Sequence, residues 1–279
     1  MMNNEYSHMV YNIRMNTIEP TQTIHVPLKG NKVLEQTLEK INANTEILTL
    51  WEILNVNAID RLGMSDHGPV HFQIVANIAL RLARILVKHG IEMSVVKDFK
   101  LGNEYAETII VLASILHDTG MSIHRVEHET YSLILTNTLL RETLDFMPIR
   151  ERTIVISETL HAITSHRRGG RPYTKEAGIV RIADALDMSS GRSRIPYEAG
   201  KVNIHSMSAY AIESIEIVEG KERPVLINIE MNNSAGIFQV DELLKEKMDK
   251  SGIEQYFEIK ASVPTKTEKK LLKEFVIKY

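Results

Sequence analysis

The stretch Ile109 to Gly120, IIVLASILHDTG, constrains this chain more than any other. Its leading residues, Ile109 to Leu116, are apolar or small on almost every side. The helix they form therefore has no face to give to water and must lie inside the protein. Yet it ends in the adjacent pair His117 and Asp118, and an imidazole and a carboxylate buried together need compensation. A hydrogen bond that only holds the core together would supply some of it. A metal ion would supply more, because neutral imidazole nitrogen and carboxylate oxygen are both ligands for divalent first-row cations. Gly120 is expected to let the chain turn away just beyond the pair. Two residues do not choose between these readings, so the case rests on ligands elsewhere in the chain.

Composition limits what those ligands can be. The 279 residues contain no cysteine, which excludes disulfides, thiolate metal sites and cysteine nucleophiles, so any metal must use His, Asp and Glu. There are 11 histidines to supply them. A net charge of −3 gives no electrostatic argument for nucleic acid or membrane as a bulk partner. No uninterrupted apolar run approaches the roughly 20 residues that span a bilayer. The N-terminal MMNNEYSHMVYNIRMN lacks the apolar core of a signal peptide, and the expected location is the cytoplasm.

Taken in order, the chain divides into an N-terminal arm (1–29), a helical domain (30–198) and a small α+β unit (199–279). Thr21 to Leu28, between Pro20 and Gly30, reads as an extended arm or edge strand. His8 and His25 read as ordinary surface residues. Val33, Leu34, Leu38 and Ile41 share one helical stripe, and Ile47 to Leu54 follow in a second run. The next helix is bracketed by Gly68–Pro69 and Gly90. His71, Ile74, Val75, Ile78, Leu82 and Ile85 lie on its apolar stripe, with Asn77, Arg81, Arg84 and Lys88 towards water, so His71 points inward. His67, just before it, could reach the same space or cap the helix.

Beyond Gly120, His124 and His128 are spaced to share a helix face, with Glu127 and Glu129 flanking His128. A helix from about Arg152 to Ser165 carries His161 towards its end and His166 just beyond. The loop RRGGRP, holding Arg167, Arg168 and Arg171, is a flexible cationic segment suited to phosphate oxygens; its bland reading is a solvated turn. In the helix after Thr174, Asp184 falls on the buried stripe. The cations close to it in sequence are Arg181 and Arg192. Asp187, one turn on, could orient a ligating histidine through the ring nitrogen that the metal does not use. After Gly200 the period changes. Ala211 to Val218 and Val225 to Met231 read as strands, Val240 to Met248 as a helix and Tyr256 to Val263 as another strand. This unit holds His205 and no recognisable catalytic set, so a structural, oligomerising or regulatory role is expected of it.

His71, the pair His117–Asp118 and Asp184 together resemble the HD-type metal-dependent phosphohydrolases. These carry one His, then a His–Asp pair, then one Asp on successive helices. The wording around each also matches: Val75–Ala76 and Leu82–Ala83 after the first His, LASILHDTG around the pair, RIADALD around the last Asp. The resemblance spans roughly Lys32 to Ser193. It covers neither end of the chain and implies an HD helical bundle; with the small C-terminal α+β unit read from the change of period, the expected fold is mainly α. The resemblance implies a divalent metal (Mn, Fe, Co, Ni, Mg or Zn) held by His71, His117, Asp118 and Asp184. A second metal or supporting contacts would draw on His67, His128, His161, His166 and Asp187.

The activity implied is hydrolysis of a small phosphorylated substrate, a nucleotide above all, with a homo-oligomer as a further expectation. Asp118, His128, His161, His166, Arg167, Arg168 and Arg171 are the candidate catalytic set. Members that cleave cyclic dinucleotides carry Lys after HD-x-G and a GYP segment. Met121 and GRPY stand there instead, so that activity is not expected. The alternatives are a non-catalytic module that senses metal and nucleotide, and an HD-like di-iron oxygenase, against which the cationic loop argues.

Overall fold

The computed structural model describes residues 23–188, 208, 210–263 and 274–278. His8, Arg192, His205 and the division placed at 198–199 lie outside the described residues.

Helices α1 (Lys32–Asn42) and α2 (Thr45–Asn55) each begin behind an asparagine cap. Asn31 Oδ1 accepts from Leu34 N at 2.9 Å and Asn44 Oδ1 from Ile47 N at 3.1 Å. A π turn, Val56–Arg61, continues α2. Then follow α3 (Pro69–Lys88), α4 (Ser94–Phe99), α5 (Asn103–Leu116), α6 (His128–Thr143), α7 (Ile149–Ser165) and α8 (Lys175–Leu186). The axis of the bundle is α5, packed against α1, α3, α4, α7 and α8. Every residue from Thr108 to Leu116 is buried. Each large aliphatic side chain there contributes about 1.5–3 kcal/mol, which offsets the cost of sinking the polar pair at its end.

By length and composition α3 could cross a membrane, but it packs between α5 and α8, and that burial accounts for its apolarity. Its buried face is wider than the single stripe expected. Phe72, Ala76, Ala79, Leu80, Ala83 and Leu86 are buried beside His71, Val75, Leu82 and Ile85, while Ile74 and Ile78 are only half-buried. Arg84 does not face open water either; its guanidinium grips Glu107 at 2.7 and 2.9 Å.

The segment 23–28 is not a strand. Ile24 is buried, and its backbone N and O are both taken by the Asn42 side-chain amide, at 2.8 and 2.9 Å, which does what a neighbouring strand would do. His124 does not share a face with His128, because α6 begins at His128 and His124 stays exposed before it.

The C-terminal unit is a four-stranded sheet in the order β1-β2-β3-β4, from Ile212–Glu219, Val225–Met231, Phe257–Ser262 and Glu274–Lys278. β1 and β2 form an antiparallel hairpin. β2 and β3 are parallel and so need a crossover. Helix α9 supplies it, running from Gly236–Phe238 through the π turn Gln239–Leu244 to Lys245–Met248. β4 was not legible in sequence: EFVIK is too short to display an alternation and follows a lysine-rich run. β1 and β2 rest on α3, α9 rests on α8, and the buried apolar residues of both units form one continuous cluster.

Candidate metal centre

Five helix ends meet beside Asp118: the starts of α3 and α6 and the ends of α5, α7 and α8. Asp66 caps α3: its Oδ1 accepts from Gly68 N at 3.1 Å and His71 N at 3.2 Å, while Oδ2 accepts from Asn55 at 2.6 Å. After Asp118 the chain makes a 3₁₀ turn, Thr119–Ser122. Gly120 is needed there for close approach rather than for a left-handed turn, since a Cβ would lie 2.1 Å from the carbonyl oxygen of His128. That approach lets α6 sit directly over the turn. Ser132 Oγ donates to His117 O at 2.6 Å and accepts from Gly120 N at 2.8 Å.

The side chains then converge. His71 Nε2 and His117 Nε2 are 3.2 Å apart, and both face Asp184 Oδ1, at 3.5 and 3.7 Å. Asp118 Oδ2 is 2.9 Å from His67 Nδ1 and 3.6 Å from His117 Nε2. Its Oδ1 is 2.9 Å from His128 Nε2 and 3.8 Å from His166 Nε2. The far nitrogens of three of these imidazoles fix their tautomers. Nδ1 of His117 donates to Ser114 O at 2.9 Å, that of His71 to Asp187 Oδ2 at 2.6 Å, and that of His166 to Ile163 O at 2.5 Å. Each Nε2 therefore presents a lone pair. Lone pairs and carboxylate oxygens turned on one another in a buried space repel, and a cation between them removes the conflict. The donor set suits a divalent first-row ion.

The charge states agree with this. Burial lowers the pKa of His117 and, more strongly, that of His166, which keeps both neutral. Burial alone would raise Asp118, but His117 and the bonds from His128 and His67 hold its carboxyl well below the usual range. Burial also opposes ionisation of Asp184, and Lys247, His71, His117 and His166 overcome it. His128 is raised: burial works against its charge, but its bond to Asp118 outweighs that. Ligand atoms within 4.8 Å of one another occur in His71, His117 and Asp184; in His67, His71 and Asp118; in His117, Asp118 and His166; and in His128, Glu129 and His166. The group thus has room for one ion or two. Metal-free protein titrated with Mn²⁺ is expected to gain about 2.7 kcal/mol of stability at a hundredfold excess over Kd. A denaturation midpoint indifferent to metal would remove the centre from consideration.

Other expected residues stand elsewhere. His161 is outside these groups: its Nε2 accepts from Tyr173 N at 2.9 Å, and its ring stacks on that of Tyr173 at 5.0 Å. Arg167 and Arg171 are exposed on the loop that leaves His166, and Arg168 lies 3.8 Å from Glu246. Arg181 does not neutralise Asp184. It turns away to the carbonyls of residues 165–167 and of Glu246 and Lys247. Among the described residues the cation that meets Asp184 is Lys247, with Nζ 3.4 Å from Oδ2. Sequence reasoning missed it because 63 residues separate the two and no local pattern marks a lysine of a short helix as the partner of a distant carboxylate.

A helical bundle that gathers histidines and aspartates from successive helix ends defines a metal-centre protein of the His–Asp class. The chain belongs to the HD domain family, the superfamily of HD-type metal-dependent phosphohydrolases. The family model matches residues 70–189, which include His71, His117, Asp118, His128, His166, Asp184 and Asp187. The chain is also similar to an uncharacterized protein, MJ1020, of Methanocaldococcus jannaschii. The two are 41% identical over 240 residues, covering 86% of this chain and 92% of that one.

Proposed function

We propose that the protein is a cytoplasmic metal-dependent phosphohydrolase that cleaves a phosphate ester of a small substrate, a nucleotide. The observation that carries this reading is the convergence of three Nε2 lone pairs with the carboxylates of Asp118 and Asp184. His71, His117, Asp118 and Asp184 hold the ion, and His128, Glu129 and His166 have the spacing for a second. A divalent ion there supplies Lewis acidity, lowering the pKa of a water and polarising a phosphoryl oxygen.

The chain's own groups do the rest. Asp187 locks the His71 ring in its ligating tautomer. With one ion bound, His128 remains free to hold a proton at Nε2 for the leaving oxygen. The exposed guanidiniums of Arg167 and Arg171 can close on phosphate oxygens as bidentate forks. Tyr173 follows them, 88% exposed and backed by His161, and offers a nucleobase a stacking surface.

The test is a panel of nucleotides and generic phosphate esters assayed with Mn, Mg, Co, Ni, Fe and Zn. Absence of turnover with every metal would leave a sensing module. Replacing Arg167 or Arg171 by Ala is expected to leave metal content intact and to lower turnover about 10²–10³-fold, with Lys rescuing only in part. Near-normal kinetics for both variants on every ester that the wild type cleaves would reduce the loop to a solvated turn.

A further inference from the structure

Among the described residues, the C-terminal unit reaches the metal centre through Lys247. We propose that Lys247 is the cation that receives the substrate's phosphoryl group at the opening of the centre, so that the active site is completed by the C-terminal unit. The inference rests on the phosphohydrolase reading and adds to it a binding residue outside the helical bundle.

The opening can be located by exposure. The side chains of His71, His117, Asp118, His128 and His166 are between 0% and 7% exposed, whereas those of His67 and Asp184 reach 19%. Lys247, at 17%, lies on the Asp184 side of that opening, with Nζ 3.4 Å from Oδ2 and bonded also to the carbonyl oxygen of His166. The ammonium has three donors, and these two contacts leave a third. Its backbone does not drift, because the buried Arg181 donates to Lys247 O at 2.9 Å and to Glu246 O at 3.3 Å. A charge held in place by the fold before the ligand arrives costs little reorganisation when an anion binds.

Charge supplies the second argument. Asp118, Asp184, Asp187 and Glu129 surround the cluster, and one divalent ion together with Arg125, whose Nη1 is 2.8 Å from His128 Nδ1, does not outweigh them, so an anionic phosphoryl group gains from a further cation where it enters. Arg181 cannot serve, being 1% exposed and committed to carbonyls. Arg168 is 82% exposed and directed at Glu246. Lys247 already sits against a cluster carboxylate and keeps part of its side chain exposed at the opening.

The experiment uses the full chain loaded with Mn²⁺ and inorganic phosphate as the probe, with both affinities measured by calorimetry. Lys247→Gln keeps a donor and removes the charge. Its phosphate affinity should fall about tenfold or more, while Mn²⁺ affinity holds or tightens because a positive charge has left the side of a dication. Lys247→Arg should retain most of the phosphate affinity. If Lys247 only orients Asp184, the signs reverse: Lys247→Gln weakens Mn²⁺ and leaves phosphate binding to the loaded protein unchanged, which overturns the proposal. Equal phosphate affinity in wild type and variant overturns it as well. A wild type that binds Mn²⁺ but no phosphate defeats the phosphohydrolase reading itself. Acylation of Lys247 in the Mn²⁺-loaded wild type, read by peptide mass spectrometry, is independent of whether a variant folds. Phosphate should slow it, and an unchanged rate counts against the assignment.

Discussion

Asp118→Ala is expected to cost the protein its metal and its turnover together while leaving the helical signal intact. Both oxygens of Asp118 are engaged, one between His67 and His117 and the other between His128 and His166. Removing the carboxylate takes the shared anion from four imidazoles and leaves His71 and His117 with Asp184 as the carboxylate grouped with both. The loss of activity should exceed the about 10²–10³-fold that follows removal of a single electrostatic contact, because the ion goes as well. The fold should survive, since α5 is held by the aliphatic side chains from Ile109 to Leu116 and not by its last polar residue. Metal analysis decides: a variant that keeps wild-type stoichiometry would show that the centre has been assigned to the wrong residues.

Arg181→Met should be the most damaging change to stability, by about 3–5 kcal/mol in urea denaturation. The guanidinium is 1% exposed and donates to five backbone carbonyls, those of Ser165, His166 and Arg167 at the end of α7 and of Glu246 and Lys247 in α9. Burial lowers its pKa, with the charges of Glu246 and Asp184 acting the other way. Methionine fills much of the volume but takes the guanidinium donor from every one of those carbonyls; His166 O keeps Lys247 Nζ and Arg167 O keeps Gly170 N. Lys should rescue poorly, because three donors on a point charge cannot cover the same fan. His166 and Lys247 owe their positions to the same bonds, so metal affinity should fall alongside stability. A loss below about 1 kcal/mol would mean that water replaces the guanidinium at this junction.

Helical period and caps act within about one turn, and what depends on them was readable from the residues alone. An apolar stripe marks a buried face on α3 and on α8, and an all-round apolar run marks α5 as interior, so a His or Asp on such a face or at such an end is drawn inward with it; that is why His71, His117–Asp118 and Asp184 stood out. Strand alternation gave away β1 to β3 for the same reason. Convergence obeys no local rule. That His67 bonds Asp118, that His128 and His166 join the cluster while His124 and His161 do not, and that Lys247 rather than Arg181 meets Asp184 follow from how far each helix is turned and slid against its neighbours. Those rotations are set by side chains packed across α3, α5, α8 and α9, tens of residues apart, and packing of that kind leaves no period in the chain.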